Sequence, residues 1–194
     1  MKHPSVRELF EYWNERRGHR PAPERADIEP GAIRRLLADT FILSFEPRTG
    51  HPFRIAGTRV CALFGRELKG ESFVELWQRS GQAEIRELLA VAVDEKIGVV
   101  ASATGATSDD RLLAVQLELL LLPLAFRSRR EARMLGALVP MAAPYWLGAK
   151  AVGPLTLGTF RHLGAAIETT APRFAAAAGR LKRGLTIYEG GRID

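Results

Sequence analysis

Apolar side chains near the N-terminus recur every three or four residues, which is the period of one face of a helix. This pattern predicts an amphipathic helix over residues 5–17. Ser5 and Glu8 have the spacing of a capping box that would start the helix, and Gly18 would end it. The stripe contains two large aromatic rings, so it must be buried against its own chain or against a second chain. Its members are Val6, Leu9, Phe10 and Trp13.

A second short helix is predicted over residues 30–38, with Ile33, Leu36 and Leu37 facing inward. After this helix the hydrophobic period changes from helical to alternating. Alternation predicts five strands, and the first two lie close enough in sequence to form an antiparallel hairpin. The fourth strand is apolar on both faces beyond Glu118, so its second face needs a cover. The predicted strands cover residues 41–46, 52–57, 98–105, 112–124 and 133–139.

The segment between the second and third strands, residues 57–77, is divided by Gly65 and Gly70 into short pieces of helical character. A longer helix is predicted after it, over residues 81–95, and Gly98 would end it. An unbroken helix over the first segment would extend ~30 Å and overshoot a sheet. Glycine stops let the chain turn at each step, so the pieces would curl around a concave apolar space of the kind that binds ligands.

Two groups of motifs resemble a known family, the PAS domains. Residues 63–77 resemble the helical run of these domains, in the order Leu-Phe-Gly, Glu-Leu-x-Gly, Ser-Phe and finally Trp. The chain is also similar to a family of small stand-alone bacterial PAS proteins. That likeness rests on Tyr12-Trp13, Arg17-Gly18, Arg25 to Pro30, Phe53 to Arg59 and Tyr188 to Gly191.

The resemblance implies an α+β protein with the PAS fold, in which a five-stranded antiparallel sheet carries helices on one face. We divide the chain into an N-terminal helix and linker over residues 1–29, a PAS domain over residues 30–146 and a C-terminal extension over residues 147–194. The extension is basic and rich in alanine and glycine.

The net charge of +6 is concentrated in the last third of the chain, because residues 127–194 hold 11 basic and 4 acidic side chains. A basic tail is typical of proteins that bind nucleic acid or another acidic surface. No aromatic residues alternate with these arginines as a single-strand binding surface would require. We therefore favour a solvated tail and keep nucleic-acid binding as the alternative.

The concave space predicts an apolar ligand pocket, and two arginines beside it are candidate contacts for an anion. The anion contacts are Arg54 and Arg59. The pocket would be lined by Leu43, Ile55, Cys61, Phe64, Phe73, Trp77, Leu88, Val115, Leu117 and Leu119.

Cofactor motifs of PAS relatives are missing from the sequence. The long helix lacks the axial histidine of haem-binding members, and the segment after the short helices lacks the cysteine of flavin photoreceptors. We therefore expect neither haem nor flavin. A single cysteine, Cys61, and four dispersed histidines predict no metal site, and no catalytic motif is recognisable. The longest apolar run, residues 119–124, is far shorter than the ~20 residues of a membrane span, so we expect a cytoplasmic protein.

These features favour a non-enzymatic sensory or regulatory protein of bacterial signalling. We expect it to form a homodimer, to bind an unidentified protein partner and to hold a small apolar ligand. The alternative is a basic protein that binds nucleic acid or an acidic surface on a PAS scaffold. The dimer or sheet cover would use Val6, Leu9, Phe10, Trp13, Leu120 and Leu122.

Overall fold

The computed structural model describes residues 1–107, 113–125 and 132–163. These residues form an antiparallel sheet with strand order β2-β1-β5-β4-β3-β6. The strands are β1 (Thr40–Ser44), β2 (Phe53–Ala56), β3 (Gly98–Ala106), β4 (Ala114–Leu124), β5 (Arg133–Pro140) and β6 (Thr156–Leu163). The α-helices of these ranges are α1 (Pro4–Arg17), α2 (Thr58–Phe64) and α3 (Gln82–Glu95). Short 3-10 helices are Arg25–Asp27, Leu37–Asp39, Pro47–Thr49, Val74–Leu76 and Arg79–Gly81.

The predicted fold class is confirmed, but the sheet has a sixth strand that the sequence reading missed. Strand β6 pairs antiparallel with β3 and lies within the region assigned to the C-terminal extension, so the sheet continues past residue 146. Most side chains of β6 are exposed, which removes the alternation that identifies a strand. Residues 164–194, with most of the predicted extension and the Tyr188 to Gly191 motif, lie outside the described residues.

The helical predictions hold for the long elements and fail for the short ones. Helix α1 starts one residue early, and its N-cap is His3 rather than Ser5, because the His3 Nδ1 accepts from the Ser5 N–H. Residues 30–36 form turns instead of a helix, and Leu37 is 38% exposed instead of inward. Helix α3 ends before Gly98, with Lys96 in the left-handed conformation at φ 55°.

The glycine-broken segment also contains less regular helix than predicted. Its first piece is helix α2, and Gly65 ends it in the left-handed conformation at φ 63° as expected. The second predicted piece, between Gly65 and Gly70, is irregular. The third predicted piece, after Gly70, contains only the 3-10 helix Val74–Leu76. Pieces this short cannot be stable as isolated helices, so tertiary contacts determine their form.

Helix α1 covers the outer face of the sheet in its own chain. Val6, Leu9 and Trp13 are fully buried there with Leu120 and Leu122 of β4. We call this group of buried residues the outer core. Burial of each such side chain contributes about 1.5–3 kcal/mol before the cost of ordering the helix. The stripe therefore covers the sheet within one chain, and the homodimer stays a prediction.

Two polar contacts fix the position of α1 on the sheet. The Trp13 indole N–H donates to the Pro123 carbonyl at 2.9 Å. The buried Glu118 carboxylate accepts from the backbone N–H groups of Lys2 (2.8 and 3.1 Å) and His3 (2.8 Å). Glu118 thus interrupts the apolar face of β4 because it receives the start of α1. Phe10 lies at the margin, half-buried, with its ring 6.2 Å from that of Trp13.

We expect Leu9→Ala to lower the free energy of unfolding by about 2–5 kcal/mol, because it leaves a cavity under α1. Urea unfolding followed by circular dichroism measures this loss. Glu8→Ala, an exposed position on the same helix, is the control and should change stability by less than about 0.5 kcal/mol. Equal stability of the two variants would show that α1 does not cover the sheet.

Candidate functional site

The residues predicted to line a ligand pocket lie between the helices and the inner face of the sheet. Most of them are buried in one continuous group, which we call the inner core. Cys61 lies half-buried at its margin, and Ile55 is outside it. Those inside are Leu43, Phe64, Phe73, Trp77, Leu88, Val115, Leu117 and Leu119.

Four aromatic rings occupy the middle of the inner core and contact one another. The ring centroids of Phe41 and Phe53 are 5.4 Å apart, and those of Phe53 and Phe73 are 5.8 Å apart. Trp77 continues the series at 5.8 Å from Phe73. The rings therefore pack against one another in the middle of the inner core. The expectation that neither cofactor is bound stays a prediction.

Ile55 is wrongly assigned to the pocket. Its side chain is 54% exposed, whereas the neighbouring Phe53 is buried in the inner core. The cause is an irregularity in the β1–β2 ladder, where Leu43 pairs with Phe53 but Ile42 pairs with Ile55. The extra residue, Arg54, shifts the alternation, so Ile55 faces the opposite side of the sheet. Arg54 itself is exposed.

Cys61 is held as a protonated thiol on α2. Burial raises the pKa of the Cys61 thiol, and the nearby Glu67 carboxylate raises it further. The thiol Sγ donates to the Glu67 Oε1 at 3.5 Å. A thiol in this environment is a poor nucleophile, because the reactive species is the thiolate.

Arg59 already has an anionic partner within the chain. Its guanidinium donates two hydrogen bonds of 2.6 Å to the two carboxylate oxygens of buried Asp39. The hydrogen bonds to Asp39 raise the pKa of the Arg59 guanidinium. Arg59, which was predicted to contact an anionic ligand, is instead engaged in an internal ion pair that ties α2 to the start of β1. The sequence reading missed Asp39 because its partner is 20 residues away.

Gly57, which precedes α2, lies directly against the backbone of residues 37–38. A Cβ atom at this position would overlap the carbonyl oxygens of Leu37 and Ala38. Its N–H also donates to the Thr40 carbonyl at 2.8 Å. Gly57 and the Arg59–Asp39 pair together fix the corner at which the chain leaves the sheet and enters the helical insert, residues 57–96.

His51, one of the four histidines of the chain, is buried. Its side chain is 2% exposed, and its ring centroid is 4.8 Å from that of Phe45. Burial lowers the pKa of His51 to about 4, with a contribution from Arg86 and an opposing one from Glu46. The imidazole is therefore neutral at pH 7. Its φ of 60° places it in the left-handed region, just after a glycine that has the same conformation.

A segment that we call the strap, residues 150–155, closes the inner core at the edge of the helical insert. The Val152 N–H donates to the Leu63 carbonyl of α2 at 2.7 Å, and the Leu155 N–H donates to the Leu76 carbonyl at 2.8 Å. Val152 and Leu155 are buried in the inner core. The sequence analysis did not predict the burial of Val152 and Leu155. The nearby Trp146, a large side chain in a segment of small residues, could have indicated that this segment packs on the domain.

Other candidate chemistry is limited in the part of the chain that the structure describes. Within residues 1–107, 113–125 and 132–163, no three His, Cys, Asp or Glu side chains are grouped so that they could hold a metal ion. None of the helices in these ranges is long and apolar enough to cross a membrane.

Comparison with known proteins identifies the family. A family model described as "PAS domain" matches residues 1–139, more than half of the chain, and this chain belongs to that family. The matched residues include helix α1, so α1 is part of the family's domain. The resemblance found in the sequence is thereby confirmed. No curated protein matches the chain.

Two solved structures are similar to this chain at low identity. One is a LOV protein of Rhodobacter sphaeroides, with 12% identity, a TM-score of 0.44, and coverage of 61% of this chain and 71% of that chain. The other is described as an RNA-binding light-oxygen-voltage receptor, with 17% identity and a TM-score of 0.44. The alignment with this receptor covers 66% of the present chain and 36% of the receptor chain. These likenesses carry no argument about ligands or partners.

Gly57→Ala is expected to lower the free energy of unfolding by ~3 kcal/mol, because the added methyl group overlaps backbone atoms that cannot move independently. Gly31→Ala is the matched control, since nothing lies within 4 Å of its Cβ position. Thermal unfolding measures both. If the two variants were equally stable, the close approach at the corner would be wrong.

The neutral His51 should make the protein less stable in acid. The unfolded chain binds this proton near pH 6.5 and the folded chain only near pH 4, so stability is lost as the pH falls between these values. Between pH 7 and 5 the expected loss from this group is about 2 kcal/mol. His51→Asn removes the titrating group, and asparagine tolerates the left-handed backbone. Between pH 7 and 5 the free energy of unfolding of this variant should fall by about 2 kcal/mol less than that of the unmodified protein, as measured by urea unfolding at each pH. An identical pH dependence would contradict the burial of a neutral His51.

Proposed function

We propose that this PAS protein is a non-enzymatic sensory or regulatory protein that acts by binding other proteins. The observation that carries the proposal is the helical insert, which curls over the inner face of a PAS sheet and is closed by the strap. This arrangement places the insert, through the strap, next to β6, the edge strand of the sheet. A change at the insert would be transmitted to β6 through the strap hydrogen bonds.

The environments of the buried ionisable groups support a role without catalysis. Asp39 is paired with Arg59, Glu118 accepts backbone N–H groups, and His51 contacts an aromatic ring. Asp39 and Glu118 therefore have hydrogen-bonding partners, whereas the buried His51 Nδ1 has none among the described residues, and the three groups belong to different segments of the chain. Catalytic acids and bases are usually grouped around a shared cleft.

The proposed protein contacts would use surface beside α1 rather than the stripe under it. A groove of about 520 Å³ lies next to the start of α1 and is bordered by Lys2, Met141 and Phe160. Phe160 is 39% exposed at this groove. A homodimer or a protein partner that covers Phe160 would leave the outer core intact.

Native mass spectrometry of freshly purified protein, with sedimentation of the same sample at several concentrations, tests the proposal. We expect a homodimer or a noncovalently retained small molecule, and Phe160→Ser should weaken a dimer without changing the unfolding temperature. Tyr145→Ser, at an aromatic side chain that is 91% exposed and does not border the groove, is the control. A monomer at every concentration, with no retained molecule, would contradict the proposal.

The alternative function, binding to nucleic acid or another acidic surface, keeps its basis in the basic last third of the chain. Much of that region lies outside the described residues, and no observation in the described part favours this function. The two functions differ in their response to salt, because phosphate contacts weaken steeply as the salt concentration rises.

A further inference from the structure

The two edges of the sheet differ in how their backbone groups are used. At the β2 edge, the Gly70 N–H donates to the Phe53 carbonyl at 2.8 Å, and the Phe53 N–H donates to the Glu71 carbonyl at 3.0 Å. The helical insert therefore pairs with this edge. The opposite edge is β6, which has eight residues where β2 has four. Strand β6 pairs with β3 on one side, and no backbone group of the described residues bonds to its other side.

The free edge of β6 is suited to pairing with a further strand. An unpaired edge strand is a template for another chain, and proteins usually protect it with proline, lysine or a very short strand. Strand β6 contains neither proline nor lysine. Its bulge, where Gly158 and Thr159 both lie against Ser102, is confined to the first half of the strand. From Phe160 onward the strand keeps a regular register with β3.

The side chains of β6 leave room for a partner. Most of them are exposed, including Phe160, whose ring centroid is 5.8 Å from that of His162. Thr159 and Arg161 line the groove beside α1, so they share the outer face of the sheet. Arg161 forms no ion pair with any residue that the structure describes. The edge thus offers an aromatic ring and a positive charge.

We propose that β6 pairs antiparallel with β6 of a second copy of this chain. Two identical antiparallel strands are related by a twofold axis, and Arg161 decides where that axis lies. An axis at Arg161 would set two guanidinium groups directly opposite each other, which destabilises a strand pair. An axis at Thr159 would run the pairing through the bulge. An axis at Phe160 joins the two phenyl rings and places each Arg161 opposite Thr159 of the other copy.

Charge on the outer face also fits a second copy. Thr159 is followed across the sheet by Ser102 of β3 and then by Glu118 of β4. Arg161 of the second copy would lie at the end of this row, and its side chain would extend along the groove toward Glu118. The contact also closes on itself, because it uses the β6 edge of both copies while the insert occupies their β2 edges. Pairing therefore ends at a dimer.

This inference rests on the proposed regulatory function and deepens it, because it names the surface of the homodimer. The strap leads directly into β6 and is bonded to the insert through Val152 and Leu155. A dimer contact at β6 would therefore lie next to the segment that joins the insert to the sheet.

Sedimentation equilibrium of the full chain at several concentrations measures the dimer. One pair of strands is smaller than a standard interface, so we expect a Kd on the order of 100 µM. Thr159→Glu should lower this Kd about fivefold, because it faces Arg161 of the second copy, and Thr159→Lys should raise it at least as much. Thr104→Glu and Thr104→Lys, at an exposed threonine of β3 away from the edge, are the matched controls and should leave the Kd unchanged.

Disulfide trapping tests the register. In a Cys61→Ser background, Phe160→Cys places two thiols at the twofold axis. Facing Cα atoms of antiparallel strands are about 5 Å apart, which is within the range of a disulfide. Under mild oxidation this variant should form a covalent dimer roughly tenfold faster than Tyr145→Cys in the same background, because its thiols are held together. Tyr145 is the more exposed residue, at 91%, so random collision would favour the control.

Equal trapping of the two cysteine variants, or an equal Kd for Thr159→Glu and Thr159→Lys, would overturn the proposal. If a dimer persists in either case, only this interface is wrong and the proposed function stands. A monomer that retains a small molecule also overturns the interface alone, and it assigns the β6 edge to another occupant such as residues 164–194. A monomer without a retained molecule would contradict both the interface and the proposed function.

Discussion

The structure depends on one strand, β4, which is apolar on both faces and lies inside the sheet between β5 and β3. Its odd-numbered leucines belong to the inner core, and its even-numbered leucines from Leu120 onward belong to the outer core. Neither face can be left in water without a large loss of stability. The helical insert covers one face, and α1 covers the other. Because the insert covers only the inner face, the cover of the outer face comes from another part of the chain, helix α1.

Both covers bury apolar side chains, but different polar contacts fix them. Helix α1 is positioned by the Trp13 hydrogen bond and by Glu118. The helical insert is fixed at its start by the corner at Gly57 and is tied to β2 by the hydrogen bond from the Gly70 N–H to the Phe53 carbonyl. The strap joins its edge through two further backbone hydrogen bonds.

Much of this fold could be predicted from the sequence, because the long elements have clear hydrophobic periods. The stripe of α1, the alternation of β4 and the glycine after α2 each carry a local signal that survives in the structure. Strand β6 carries no such signal, since most of its side chains are exposed, and the strap contributes only two isolated buried residues, Val152 and Leu155, which form no period. Ile55 was misplaced because a single extra residue in β2 inverts the alternation, and no periodicity reveals such an irregularity.

The candidate site shows the same limit more strongly. The pocket-lining aromatic residues could be named from their pattern, but whether their rings enclose a space or fill it depends on contacts between distant residues. The Arg59–Asp39 pair and the hydrogen bonds of the strap each join residues that lie far apart in the sequence or belong to different elements. The sequence therefore predicts which residues line the interior, whereas the contacts between them emerge only from the tertiary structure.

The most direct test of the central claim is an isotope-filtered NOE measurement on a mixture of labelled and unlabelled chains. If each chain covers its own sheet, cross-peaks between Trp13 and the methyl groups of Leu120 and Leu122 will be intramolecular only. Intermolecular cross-peaks between these residues would show that α1 covers the sheet of a second copy, and they would contradict the claim that both faces of β4 are covered within one chain.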